Sequence, residues 1–169
     1  MNSRAVQVHR RALTLASVVV LAGCGFELRG SPELPFSRIA LEGFAPRSPL
    51  ADELRRALAG NAEVVNAAER AQVVLHATTD ARERGVVAST AVGQVRELQL
   101  RVRLRFHLST PGGAELIPST ELLLTRDMSY SETLALAKEY EEAQLYKAMQ
   151  SDIVAQVMRR LSRVKLNRS

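Results

Sequence analysis

From Leu98 to Leu108 the chain alternates without a break. Leu98, Leu100, Val102, Leu104, Phe106 and Leu108 are apolar, and Gln99, Arg101, Arg103, Arg105 and His107 stand between them. Successive strand side chains project to opposite faces, so this run predicts a strand with one buried face and one polar face. A strand buried on both faces would be apolar throughout. Thr110-Pro111-Gly112-Gly113 then reads as a turn, and Glu115 to Met128, carrying Leu122 and Leu124, returns as the partner strand. Pro118 has no amide hydrogen to donate, which places that strand at an edge or its start at a bulge.

Other elements follow from the same patterning. Arg38 to Glu42 reads as a short strand with Ile39 and Leu41 on one face. Ser48-Pro49 opens a helix, with Ser48 as N-cap, Pro49 at the first helical position, and Asp52 and Glu53 complementing the dipole of the first turn. Leu50, Leu54 and Leu58 form its buried stripe, and Gly60 stops it. Glu63 to Asn66 is a brief strand; Gln72 to Asp80 is a Val- and Thr-rich one, with a turn expected near Arg84-Gly85. Ser129-Tyr130-Ser131-Glu132 fits a capping box opening a long final helix. In that helix Leu145, Met149, Ile153, Val157 and Leu161 recur every four residues, with Val154 and Met158 beside them, as a core-packing stripe.

The N-terminus has a different logic. Arg4, Arg10 and Arg11 form a basic region without acids, followed by an apolar stretch from Ala12 to Ala22 broken only by Thr14 and Ser17. That stretch is about half the ~20 residues a membrane-spanning helix requires. It ends in Leu21-Ala22-Gly23-Cys24, small residues leading into the single cysteine. Small side chains let a peptidase approach the backbone, and the thiol then accepts a diacylglycerol as a thioether. Residues 1–23 are therefore expected to be a lipoprotein signal peptide and Cys24 the lipidation site. The alternatives are an ordinary signal peptide and a buried free cysteine. Arg10-Arg11 leaves twin-arginine export open beside the general secretory route. Gly25 replaces the Asp associated with inner-membrane retention, so an outer-membrane anchor facing the periplasm is expected. Residues 24–36, with Pro32 and Pro35, read as a tether, and 37–169 as one domain with a basic C-terminal end.

The formal charge of +5 and pI near 10.0 mislead if read as a nucleic-acid signal. Without residues 1–23 the balance is 20 Lys+Arg against 18 Asp+Glu. From Lys147 onward six basic residues meet one acid, Asp152, which suits a solvated helix C-terminus. One cysteine excludes an internal disulfide and a multi-cysteine metal site. With no Trp and 4% aromatic residues, a base-stacking platform is poorly supported. Enzyme chemistry is equally hard to assemble. His76 and His107 lack a Cys partner, a His-x-x-x-His companion or a G-x-S-x-G segment, and Asp52/Glu53 and Glu141/Glu142 are sequence neighbours that diverge on a helix. No catalytic residue, metal or cofactor is expected.

Leu21-Ala22-Gly23-Cys24-Gly25-Phe26-Glu27-Leu28-Arg29-Gly30 resembles the start of the LPS-assembly lipoprotein family LptE. So do Thr125-Arg126-Asp127-Met128-Ser129-Tyr130, Leu136-Ala137-Lys138-Glu139 with Glu141-Glu142, and the Met149–Leu161 helix with Arg159-Arg160-Leu161. A departure is Ala91, before Val92-Gly93-Gln94, where relatives can carry a basic residue. The resemblance implies an α+β two-layer sandwich, two helices on a four-stranded mixed sheet. It also implies a domain inside the LptD outer-membrane β-barrel, supporting that barrel's assembly and the delivery of lipopolysaccharide (LPS) to the surface. Lys138, in the matched segment, is the first LPS-binding candidate. Arg126, Arg82, Arg84, Arg101, Arg103 and Arg105 join it by charge and position, as cations able to meet phosphates. For the arginine strand the competing reading is a solvated or barrel-facing surface. For the whole chain it is a structural lipoprotein, a pilotin or assembly-complex subunit, with protein partners only. A third reading, a small-ligand carrier, needs a pocket that the sequence does not advertise.

Overall fold

The computed structural model describes residues 33–166. The expected signal peptide and Cys24 lie outside the described residues. Five strands and two helices follow in the order β1 (Arg38–Glu42), α1 (Pro49–Leu58), β2 (Glu63–Val65), β3 (Val73–Ser89), β4 (Val95–Ser109), β5 (Glu115–Ser129) and α2 (Ala135–Leu161). They form one mixed sheet in the order β2-β1-β3-β4-β5. β1 pairs in parallel with β2 and β3, and β3, β4 and β5 form an antiparallel meander. The sheet thus has five strands, not the four implied by the family resemblance. The shortest of them is β2, three residues joined to β1 at the sheet edge.

Both helices cover one face. Leu98, Leu100, Val102, Leu104, Phe106 and Leu108 are at most 5% exposed and pack with Leu50, Leu54 and Leu58 of α1. Met149, Ile153, Val157 and Leu161 of α2 complete the same core. Leu34 and Phe36, at the end of the stretch read as a tether, pack against it. The α1 cap forms as its sequence indicates, with the Ala51 amide donating to Ser48 Oγ at 3.0 Å.

Two local expectations fail for identifiable reasons. β3 does not turn at Arg84-Gly85: Gly85 stays in register opposite Gln99, and the strand runs on to Ser89. The reversal comes at Thr90–Gln94, where Gly93 supplies the left-handed conformation (φ 81°) and the Thr90 amide donates to Gln94 O at 2.8 Å. The capping box at Ser129 does not form either. β5 continues through Ser129, a 3-10 turn spans Glu132–Leu134, and α2 begins at Ala135 without a side-chain cap. Strand pairing with β4 (Ser129 opposite Glu97) claims the residues the box required.

Of the register shifts in β3, β4 and β5, two bear on the candidate arginines and on Pro118. Ala77 pairs with Phe106 but Thr79 with Arg105, so Thr78 is an extra residue in β3. In β5 the register shifts between Thr120 and Ile117, beside Pro118 on the sheet's edge strand, fulfilling both options for that proline.

Candidate functional site

The cationic candidates divide between two faces and one end of the sheet. Arg101, Arg103 and Arg105 project from β4 away from the helices, opposite Glu83, Ala81 and Thr79 of β3 and Thr125, Leu123 and Glu121 of β5. Arg105 Nη2 lies 2.7 Å from Glu121 Oε2, while Arg101 Nη1 reaches Glu83 Oε2 only at 4.0 Å and bonds Gln99 Oε1. Arg103 stands between Ala81 and Leu123 without an acid, and its Nε is buried with no partner. Further along this face His76 and His107 stack with ring centroids 4.7 Å apart, and His76 Nδ1 is 3.2 Å from Glu42 Oε2. The open face is therefore largely charge-balanced.

Arg82 and Arg84 stand on the other face, in register with Val102 and Leu100 and beside α2. Plain alternation from His76 would have put them with the β4 arginines; the Thr78 bulge inverts the parity. Arg84 Nη1 pairs with Glu142 Oε2 at 3.2 Å. Arg82 donates to Gln150 Oε1 and lies over the Tyr146 ring, 5.4 Å from its centroid. The Tyr146 hydroxyl donates to Glu83 O at 2.7 Å. Burial, reinforced by Glu142, pushes the Tyr146 pKa above its usual value, against the opposing pull of Arg84 and Arg82.

Arg126, opposite Leu100, also faces the helix layer, where Nη2 lies 4.0 Å from Asp152 Oδ2. Lys138 makes other contacts: Nζ donates to Ser129 Oγ at 2.9 Å and to Glu141 Oε2 at 2.7 Å. Arg126 and Lys138 are thus not joined by a contact, and Lys138 pairs with Glu141 rather than with Glu142. Lys138 lies in the first turn of α2. The same end of the fold carries exposed apolar side chains. Leu134, Leu136 and Tyr140 are 57%, 83% and 70% exposed, and Val86, Val87 and Val92 of the β3–β4 hairpin are 58%, 53% and 80% exposed. Register puts the hairpin tip, the end of β5 and the start of α2 at one end of the sheet.

Sequence reasoning passed over three residues that the fold assembles at Arg82. Arg56, Lys147 and Gln150 line one cleft with it. Arg56 and Lys147 carry no signal beyond charge. Gln150 does: it is one turn before Val154 in the core stripe, a polar residue at a buried position. Among the described residues no group of three His, Cys, Asp or Glu is placed to hold a metal ion, and no helix is long and apolar enough to cross a membrane.

The family model described as LptE, lipopolysaccharide-assembly, matches residues 36–161. The LPS-assembly lipoprotein LptE of Yersinia pestis (strain Pestoides F) is 30% identical over 161 residues, covering 91% of this chain and 77% of that protein. Among solved structures, an uncharacterized lipoprotein B from Nitrosomonas europaea is similar at TM-score 0.68 and 35% identity, over 82% of this chain and 90% of the other. The rare lipoprotein B of Shewanella oneidensis aligns at TM-score 0.59 and 26% identity, over 73% and 92%.

Proposed function

The chain belongs to the lipopolysaccharide-assembly family LptE, and from that premise we propose that it is anchored through acylated Cys24 in the outer membrane. It faces the periplasm, sits largely within the LptD β-barrel, supports assembly of that barrel, and helps deliver LPS to the surface. The family is one of assembly lipoproteins and not of enzymes, so the mechanism is one of binding and positioning.

The end of the sheet around Lys138 supports this reading. Exposed aliphatic side chains, Val86, Val87 and Val92 on the hairpin and Leu134 and Leu136 at the start of α2, share this end of the fold with a held ammonium group. An amphiphile with acyl chains and phosphates needs that combination, apolar surface for the chains and a cation for the headgroup. The open face, with Arg101 and Arg105 already compensated and Leu123 exposed beside Arg103, suits contact with a barrel wall better than capture of free anions. Arg126 and Arg84, which like Lys138 each face a carboxylate, are further LPS candidates.

Affinity purification of the full chain from outer membranes tests the proposal. One large β-barrel protein should co-purify in a near one-to-one ratio, and LPS should be retained with it. Recovery of the barrel without LPS binding by the purified chain would favour the protein-only structural role. Recovery of neither would refute the assignment.

A further inference from the structure

The cleft between α1 and α2 carries a feature that the assembly role does not use. It is a space of about 610 Å³ lined by Arg56, Asp52 and Glu53 of α1, Arg82 of β3, and Lys147 and Gln150 of α2. Of the two carboxylates, Asp52 Oδ1 accepts from Arg55 at 2.9 Å, and Glu53 is turned toward Gln150 Nε2 at 2.7 Å and Ser151 Oγ at 2.5 Å. Three cations thus face two carboxylates in the lining, and none of the three is paired with either. Arg82 is held by neutral partners, the Gln150 amide and the Tyr146 ring, and among the described residues neither Arg56 nor Lys147 forms a salt bridge.

Gln150 is the pivot. It is 4% exposed, and its amide nitrogen also donates to Pro49 O at 2.7 Å, so its oxygen is fixed toward Arg82. A guanidinium oriented by an amide and an aromatic ring keeps its full charge and most of its donors for another acceptor. Two flexible cations at the same cleft supply a second and third contact.

We propose that this cleft is an oxyanion site for a phosphate monoester, with Arg82 as the fixed donor and Arg56 and Lys147 closing over the remaining oxygens. Phosphate fits better than a carboxylate because three oxygens can meet three separately placed cations. The phosphate group has two possible sources, the headgroup of a lipid or a soluble phosphoester.

The test uses the full lipidated chain in detergent, titrated calorimetrically with inorganic phosphate. Arg56→Gln/Lys147→Gln is the informative variant, because neither side chain supports the core and the melting temperature should be unchanged. Wild type should bind phosphate saturably, and the variant should bind roughly tenfold more weakly or not at all. The difference should shrink in high salt. A parallel arm compares purified LPS with its dephosphorylated form. Weaker binding of LPS alone by the variant identifies a lipid phosphate as the ligand; unchanged LPS binding identifies a soluble one. No saturable phosphate binding by wild type, or equal binding by the variant, overturns the site. The phosphate arm does not depend on the LPS assignment, so either can fail without the other.

Discussion

Lys138 donates to Ser129 Oγ at 2.9 Å, tying the first turn of α2 to the last residue of β5. The same ammonium group bonds Glu141 one turn on, and its side chain is only 15% exposed. A cation in the first turn opposes the helix dipole, and these two acceptors offset that cost. Lys138, the first LPS-binding candidate, is thus held in place by the fold.

That geometry separates structure from charge. Lys138→Asp removes both bonds and sets a carboxylate beside Glu141, so it should lower stability by about 1 kcal/mol as well as weaken LPS binding. Ser129→Ala removes one bond and leaves the charge; it should cost a similar amount of stability and keep LPS binding. Thermal melts beside binding to purified LPS at low and high salt decide the matter. Equal LPS binding by both variants would make Lys138 a structural residue only.

The two faces of β4 give a second pair of variants. Leu104 is fully buried in the core, and Leu104→Ala should cost about 2–5 kcal/mol through lost burial and a residual cavity. Arg103→Ala should change stability by less than about 0.5 kcal/mol, since its Nε has no hydrogen-bond partner to lose. Denaturant titrations with equal slopes check this, and equal losses would reverse the face assignment.

The buried stripe of β4 was readable because period two survives wherever one face meets a core. The final helix was equally readable from Met149 to Leu161. Its start was not: the capping-box pattern at Ser129 is local, whereas the pairing of Ser129 with Glu97 joins residues far apart in the chain. The candidate site suffered most at Thr78. Nothing in a run of Thr and Ala marks which residue bulges, yet that one residue moves Arg82 and Arg84 to the helix side. It also brings Arg82 to Gln150, a contact between positions 68 apart in the chain.

Gly43 is a third position whose role the fold explains. Its φ is +75°, and a Cβ there would lie 2.1 Å from the Ala77 carbonyl oxygen, backbone that cannot move without disturbing β3. Gly43→Ala should therefore destabilise by ~3 kcal/mol or more, beyond the usual left-handed penalty. Gly60→Ala, with nothing near the added methyl and no positive φ, is the control and should stay within about 0.5 kcal/mol of wild type.

Cys24, outside the described residues, is expected to be the acylated first residue of the mature chain. Intact mass should exceed that of the chain from Cys24 by at least a diacylglycerol, and Cys24→Ala should lose stable membrane association. A thiol at Cys24 that still reacts with maleimide in the mature protein would refute the anchor.

Tyr146 provides a pH test of the α2–β3 contact. Its hydroxyl donates to Glu83 O, and burial, then Glu142, raises its pKa above the ordinary phenol value of 10.0 although Arg84 and Arg82 pull it down. A raised phenol pKa means the folded state favours the protonated form. The associated stability is present in full below pH 10.0 and is lost as pH rises through the folded-state value. Tyr146→Phe keeps the ring beneath Arg82 but has no proton to lose. Below the transition the two proteins should differ by a constant, the missing hydrogen bond. Above it wild type should lose stability more steeply, and the difference between them should narrow. If the gap instead widens at high pH, Arg82 and Arg84 hold a phenolate in place, and their attraction outweighs burial.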